Sequence, residues 1–292
     1  MCGIAGVISI NGEKIYNLEK RLKSMTSLLH HRGPDDVGYF ISKKQNIGLS
    51  NNRLSIVSPK NKLELPFSKD NNEFLSFNGE IYNYLSLKKE LIENGVNFST
   101  LTDTEVLYEF LRQNNLKEFK KLNGMWAFAY YNINKNILLL SRDLLGERHL
   151  FYKIEDNELI FASEIEPILN ASKKKNQIDF DSLTTSWKFN SCNPGTTLIK
   201  DIFKLNPGNN LILENGKITV EQFQKLHPEN WFNYFNKKPS IDKVCEKFDK
   251  LFTKEVELRI PKDVNYLAAL SGGIDSSILT YFLIKLKKNV KT

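Results

Sequence analysis

Met1-Cys2-Gly3-Ile4-Ala5-Gly6-Val7-Ile8-Ser9-Ile10 opens the chain, and Asn11-Gly12-Glu13 ends the apolar run at once. No basic stretch precedes the run, so it reads as a buried strand over residues 3–10 and not as a secretory signal. Its second residue is a cysteine. The initiator methionine is ordinarily trimmed before a small residue, which makes Cys2 the terminus. A terminal cysteine carries its own base, because a free α-amine of pKa roughly 7.7–8.0 lies beside the thiol it must deprotonate. The thiolate is the attacking species. Taken alone, a cysteine at position 2 is better explained as a small buried residue, so the rest of the chain must decide.

The length, 292 residues, suggests two domains. Hydrophobic residues make up 41% and charged residues 26%, enough apolar material for a core without staples. The three cysteines, Cys2, Cys192 and Cys245, are too few and too scattered for a disulfide framework or a paired zinc site. Free thiols fit a reducing cytoplasm. No run approaches the roughly 18 apolar residues of a membrane helix. The net charge is +7, but the lysines are scattered apart from short runs such as Lys173–Lys175 and Lys285–Lys288. No basic stripe interleaves with aromatics, so a solvated surface is expected and no nucleic-acid partner.

Outward from the first strand, Leu18, Leu22, Met25, Leu28 and Leu29 mark a helix over 17–30. Short strands are predicted near 37–41, 46–50, 53–57 and 73–77. A helix begins near Tyr84, with Leu85, Leu87, Leu91 and Ile92 on one face and Gly95 as its stop, and another runs from Glu105 to Gln113. Met125–Tyr131, Ile137–Ser141 and Leu159–Ser163 read as strands. Asn215-Gly216 predicts a hairpin between 211–214 and 218–220. Beyond about residue 221 the character changes. A helix is expected over 241–258, an apolar strand over Asn265–Leu270, then a glycine-serine turn and a helix to about Lys288. The first 210 or so residues look like an antiparallel α+β layer structure and the last 70 like the opening of a parallel α/β unit.

Cys2 gains its context from a series of blocks. His31-Arg32-Gly33-Pro34-Asp35-Asp36 is followed by Arg53-Leu54-Ser55-Ile56 and Phe77-Asn78-Gly79-Glu80-Ile81-Tyr82-Asn83. Thr102-Asp103-Thr104-Glu105, Gly124-Met125-Trp126-Ala127-Phe128-Ala129, Arg142-Asp143-Leu144-Leu145-Gly146 and Phe161-Ala162-Ser163-Glu164-Ile165 complete the set. In order and spacing, over about residues 1–170, these blocks resemble the glutaminase half of the glutamine-hydrolysing asparagine synthetases, whose first domain is a class II glutamine amidotransferase. The resemblance implies an N-terminal nucleophile hydrolase fold, a four-layer αββα sandwich. It also implies roles. Cys2 attacks the glutamine amide, and the Asn78 side chain with the Gly79 N–H receives the oxyanion. Arg53 takes the glutamine carboxylate in bidentate fashion, Asp103 and Glu80 take its ammonium, and a backbone carbonyl near Val57 assists. Arg32, Asp35 and Asp143 are expected to brace loops, and His30 and His31 to play no catalytic part. His149 stands where the family usually has proline.

In the C-terminal part, Leu270-Ser271-Gly272-Gly273-Ile274-Asp275-Ser276-Ser277 joins the predicted strand to a helix. Such a turn presents backbone N–H groups, serine hydroxyls and the helix dipole to an anion. It resembles the pyrophosphate loop of ATP pyrophosphatases, which implies ATP binding by Leu270, Ser271, Gly272, Gly273, Asp275 and Ser276, with Mg²⁺ on the phosphates; no metal ligand is assigned. The family adenylates the aspartate side-chain carboxylate there, and ammonia from the first domain displaces AMP. The expected organisation is a glutaminase domain over 2–210, a connecting segment over 211–240 and the start of a synthetase domain over 241–292, truncated. The implied partners are glutamine, aspartate and ATP, and a homodimer is compatible with the family. The alternatives are a relative amidating another carboxylate, for example in cell-surface polysaccharide synthesis, and a glutaminase-only product; Cys2 argues against a β-lactam-forming relative, which lacks that nucleophile, and the retained Cys2, Arg53, Asn78, Gly79, Glu80 and Asp103 argue against a non-catalytic regulatory remnant.

Overall fold

The first strand, β1 (Gly3–Ser9), is buried along its whole length. Its alternation explains why both faces are apolar. Ile4 and Ile8 point into one cluster, with Leu140 and Leu159, while Ala5 and Val7 point into another, with Leu18 and Met25. A strand sandwiched between a helix layer and a second sheet has no wet face, so it reads as a continuous hydrophobic run. The computed structural model describes residues 1–56, 63–113, 116–261, 263–286 and 290–292.

The chain continues through α1 (Leu18–Leu28), β2 (Asp36–Ile41), β3 (Ile47–Arg53), β4 (Glu73–Ile81), α2 (Tyr84–Glu93), α3 (Asp103–Gln113), a 3-10 turn at Leu116–Lys121, β5 (Gly124–Asn132), β6 (Ile137–Arg142), β7 (Phe151–Glu155) and β8 (Glu158–Ala162). Then come α4 (Ile165–Ala171), α5 (Phe180–Phe189), β9 (Ile202–Lys204), β10 (Asn209–Glu214) and β11 (Lys217–Gln222). Two antiparallel sheets result, ordered β2-β3-β1-β8-β7-β9 and β11-β10-β6-β5-β4. α1 and α4 cover the outer face of the first sheet through Leu18, Met25, Ile168 and Ala171. α2 and α3 cover the outer face of the second through Leu87, Leu91, Val106 and Phe110, packed on Phe77, Trp126 and Phe128. Ile4, Leu49, Ala127 and Leu140 fill the space between the sheets. This is the αββα order of an N-terminal nucleophile hydrolase.

The Asn215-Gly216 turn forms as predicted, with both residues at positive φ, 52° and 74°. Its hairpin, β10–β11, pairs Leu211 with Leu140 of β6, so the second sheet runs through residues expected to serve as a connector. A first compact unit accordingly holds Met1–Ser55 and residues 63–225, and Leu226 opens a second. The two strands predicted at 46–50 and 53–57 are one, β3, ending at Arg53; Leu54, Ser55 and Ile56 have no regular structure and Val57 lies outside the described residues.

The second unit comprises α6 (Glu229–Asn236), α7 (Ile241–Arg259) and α8 (Ile274–Lys285), with Val256 of α7 and Phe282 and Leu283 of α8 gathered around Ala268. The strand predicted over Asn265–Leu270 is a single parallel bridge, Leu267 to Lys291, closed by the Ala268 N–H donating to the Lys291 carbonyl at 2.9 Å. A strand persists only where a neighbour takes its backbone groups, and among the described residues one neighbour does so.

Candidate active site

Cys2 stands just ahead of β1, whose Gly3 pairs with Asn52 of β3. The Leu54 N–H points at Cys2 Sγ from 3.4 Å, and the thiol faces the Leu54 carbonyl at 3.7 Å. Arg32 Nε donates to the Cys2 carbonyl at 2.9 Å while its Nη1 pairs with Glu164 at 2.7 Å, and His31 reaches the same carboxylate at 3.0 Å. Cys2 is thus held through its own carbonyl. Burial pushes the Cys2 thiol above its ordinary pKa, and Asp103 adds to this, while the Leu54 contact, the chain's terminal amine and Arg53 pull the other way. A thiol in that environment is protonated at rest and needs a base at the moment of attack. Burial pulls the terminal amine of Met1 below its usual value.

β4 supplies the next groups. It is the edge strand of its sheet, and successive residues turn their backbone groups alternately toward β5 and away from it. The Phe77 N–H faces outward, donating to Asn51 Oδ1 at 2.9 Å, and so does the Ile81 N–H, donating to Asp103 Oδ2 at 3.1 Å. Gly79 lies between them in the same phase, so its N–H also points outward. A Cβ at Gly79 would collide with the Met125 carbonyl oxygen and come within 2.8 Å of Trp126 Cα. Close approach of β5 therefore requires the glycine. Asn78 shares the inter-sheet face with Phe74. It is 1% exposed, and its Nδ2 has no hydrogen-bond partner among the described residues. A buried amide donor without an acceptor costs about 1–3 kcal/mol, which an acceptor atom on a bound substrate would offset.

Asp103 opens α3 and is fully buried, and burial, with Glu80 nearby, raises its carboxyl to about 7 despite the Ile81 N–H. Burial also raises Glu80, opposed by Arg148. The loop that places Asp103 is held by Glu105. Its carboxylate accepts from the Ser99 N–H at 2.8 Å, the Thr100 hydroxyl at 2.6 Å and Lys69 at 2.7 Å. Burial alone would raise Glu105, but the bonds from Lys69, Ser99 and Thr100 outweigh it and hold the group at about 2. Glu105→Ala should cost about 3 kcal/mol of stability in urea denaturation, since it removes a buried carboxylate that holds two backbone N–H groups, a hydroxyl and Lys69 together; a loss under about 1 kcal/mol would show the bonds to be dispensable. Glu105 stabilises fully above the ordinary carboxylate pKa of 4.5, and the contribution should vanish as pH falls from there toward about 2.

Arg53, 7% exposed, ends β3 with Nη1 3.4 Å from Asp36. Its influence on Cys2, together with that of Asp103, places all three in one neighbourhood. Val57 cannot be located, since it lies outside the described residues. In the second unit, Gly272 adopts φ +82° and Gly273 caps α8. Ser271 and Ser276 hydroxyls lie 3.1 Å apart across the turn. Leu270 is 49% exposed, so the turn is open to a ligand. Among the described residues no group of three or more His, Cys, Asp or Glu is gathered to hold a metal.

A glutamine amidotransferase domain model matches residues 1–224, covering every one of the first-unit site residues. The chain belongs to this glutamine amidotransferase family. An asparagine synthase model matches residues 247–292, the part that contains α8 and its glycine-serine turn. The amidotransferase chain is 31% identical, over its whole length, to 45% of asparagine synthetase (glutamine-hydrolyzing) 1 of Bacillus subtilis. It is 28% identical to amidase chry2 of Gibberella zeae, with 95% of this chain and 42% of that protein covered. The chain thus spans about half the length of the curated relatives it matches. Glutamine phosphoribosylpyrophosphate amidotransferase of Bacillus subtilis, solved with ADP and GMP, superposes with TM-score 0.56 over 76% of this chain and 49% of that one at 18% identity, a likeness of fold.

Two residues of the amidotransferase site escaped the sequence reading. Arg148 sets its charge against the upward shift of Glu80, and its Nε is buried without a partner among the described residues; its Nη1 contact with Met1 Sδ, at 2.7 Å, ends when Met1 is removed. Asn51 is buried within β3. Its signal was available: two asparagines in the strand Ile-Gly-Leu-Ser-Asn-Asn-Arg, a place where that residue is disfavoured. His149, at the proline position, has its Nδ1 3.3 Å from Arg142 Nη2; burial lowers it to about 4, with Lys204, Arg142, Arg32 and Arg148 adding to the shift, so it is neutral.

Proposed function

We propose that this chain hydrolyses glutamine to glutamate and ammonia at Cys2, as the glutaminase part of a glutamine-dependent asparagine synthetase. The observation that carries the reading is the buried, unpartnered Asn78 Nδ2 on the strand whose outward N–H at Gly79 lies in the same row. With Met1 removed, the Cys2 α-amine takes the thiol proton as sulfur attacks the amide carbon. Asn78 Nδ2 and the Gly79 N–H donate to the oxyanion. The intermediate collapses, the C–N bond breaks, and ammonia leaves with the proton the amine had taken. Water, deprotonated by the same amine, then cleaves the thioester and frees glutamate. Arg53 binds the substrate carboxylate, Asp103 and Glu80 bind its ammonium, and a carbonyl near Val57 assists.

The second unit fits a nucleotide's phosphates: a positive-φ glycine, two serine hydroxyls and the N-terminus of a 12-residue helix converge there. Leu270, Ser271, Gly272, Gly273, Asp275 and Ser276 would hold ATP, with Mg²⁺ on its phosphates. ATP supplies the activation of a carboxylate toward ammonia, and aspartate is the acceptor proposed. The free cysteines support a cytoplasmic setting, and no helix of the described residues is long and apolar enough to cross a membrane. A homodimer is compatible with this reading. Similarity to amidase chry2 favours one second reading, the same ammonia delivered to another carboxylate.

The test measures glutamate release from glutamine by protein whose terminus is shown by mass to be Cys2. Release is expected, with kcat/KM falling as pH drops through about 7, because protonated Asp103 no longer attracts the ammonium. No release from folded protein with that terminus would sink the proposal. Asparagine formation with aspartate and ATP, against other carboxylates, separates the two acceptors.

A further inference from the structure

Asn51 connects the two sheets through one side chain. Its Oδ1 accepts from the Phe77 N–H at 2.9 Å, and its Nδ2 donates to the Phe77 carbonyl at 3.4 Å and to the Gly3 carbonyl at 3.2 Å. The amide therefore occupies, on the free edge of β4, the slot a neighbouring strand residue would fill. Its contacts are placed at two reacting neighbourhoods: Gly3 follows the nucleophile directly, and Phe77 precedes Asn78 by one residue and Gly79 by two. Asn51 itself is locked by the strands on either side, paired with Ile4 of β1 and Gly38 of β2. At 3% exposure it meets no bulk water.

Resting on the glutaminase reading, we infer that Asn51 is a positioning residue that sets the distance and tilt between the Cys2 sulfur and the Asn78–Gly79 oxyanion donors. Two sheets packed face to face by apolar side chains can slide by fractions of an ångström, because dispersion contacts are weakly directional. The hydrogen bonds from one rigid amide remove that freedom next to the chemistry. Misplacement of about 1 Å at a reacting centre can cost roughly a hundredfold in rate. The clamp touches no substrate atom, so it acts on the turnover step and leaves ground-state binding by Arg53 and Asp103 unchanged.

The test uses Asn51→Leu, which keeps the volume and removes every arm, and Asn51→Gln, which keeps the amide. Asn52→Leu is the control: its equally buried side chain donates to the Thr26 carbonyl on the helix side, at 3.3 Å, and lies on the other face of β3. Rates are expressed per Cys2 site titrated with an alkylating glutamine analogue, so unfolded molecules drop out. Asn51→Leu should lose about 10- to 100-fold in kcat with KM within about threefold. Affinity for the aldehyde analogue of glutamine, which forms a tetrahedral adduct, should fall by the same factor as kcat. Asn51→Gln should recover part of the loss, and the control should stay within about threefold of wild type. A kcat for Asn51→Leu within about threefold of wild type overturns the inference, as does an equal loss in Asn52→Leu. If neither Asn51 variant yields titratable sites, the amide serves folding alone and the inference falls. Wild-type protein that is alkylated at Cys2 yet releases no glutamate overturns the function itself, a separate result.

Discussion

Cys2→Ala is expected to abolish glutamate release, by at least about 10⁴-fold in kcat, with the fold intact. The size follows from the mechanism: removing a nucleophile leaves only binding and oxyanion contacts, which by themselves give a small residue of the full rate. Among the described residues no other group is placed to replace the sulfur. In the proposed mechanism the α-amine serves as the base, and Asp103 and Glu80 are carboxylates pushed toward neutrality by burial. Stability should change little, because among the described residues the thiol makes only long contacts with the Leu54 backbone, at 3.4 and 3.7 Å. Circular dichroism and glutamate assays on the same preparation check both halves of the expectation. Residual activity above about 1% of wild type would mean that another group attacks.

Asn78→Ala is expected to lower kcat by about 10²–10³-fold, or roughly 3–4 kcal/mol in the barrier, with KM nearly unchanged. The stability outcome is what separates an oxyanion donor from a structural amide. Truncating a buried, satisfied polar side chain ordinarily destabilises, because its partners are orphaned. Here the Nδ2 has no partner among the described residues, so its removal ends a desolvation cost that folding already carries. The thermal midpoint of Asn78→Ala should therefore equal or exceed that of wild type, within the small loss from the vacated volume. A kcat within about threefold of wild type, or a large drop in midpoint with no change in kcat, would reassign Asn78 to the structural framework. The pattern expected, activity lost while stability is kept, is the trade made where a site needs an unsatisfied group.

How far the sequence carried the fold depends on how local the decisive interaction was. The Asn215-Gly216 hairpin was predictable because positive φ at two adjacent residues is a property of those residues alone. β1 and β5 were predictable because burial on both faces writes an unbroken apolar run. The boundary at Arg53 was not: Leu54, Ser55 and Ile56 are apolar enough to extend a strand, but the edge they would need is taken by Cys2 and the Arg32 loop. The strand expected over Asn265–Leu270 failed for the complementary reason, since its apolar pattern says nothing of how many neighbours will pair with it. The site divides in the same way. Cys2, Asn78, Gly79, Arg53 and Asp103 were found through resemblance, whereas Asn51 matters through a contact 26 residues away in sequence and Arg148 through the charge it sets against Glu80, which no local pattern records.

Gly79 has a consequence for how this chain can vary. Two independent demands converge on that residue: the absence of a side chain, imposed by the Met125 carbonyl of the adjoining strand, and an outward N–H, which the proposed mechanism offers to the oxyanion. Every genetically encoded replacement violates the first before it can probe the second, so a mutational scan would score position 79 as intolerant without saying why. Separating the demands calls for an alteration of the main chain itself. Glycolic acid in place of Gly79, introduced by chemical ligation, exchanges the N–H for an ester oxygen and adds no bulk. For the same reason, drift at this position is closed to evolution along either route, and the strand can change its chemistry only through its neighbours.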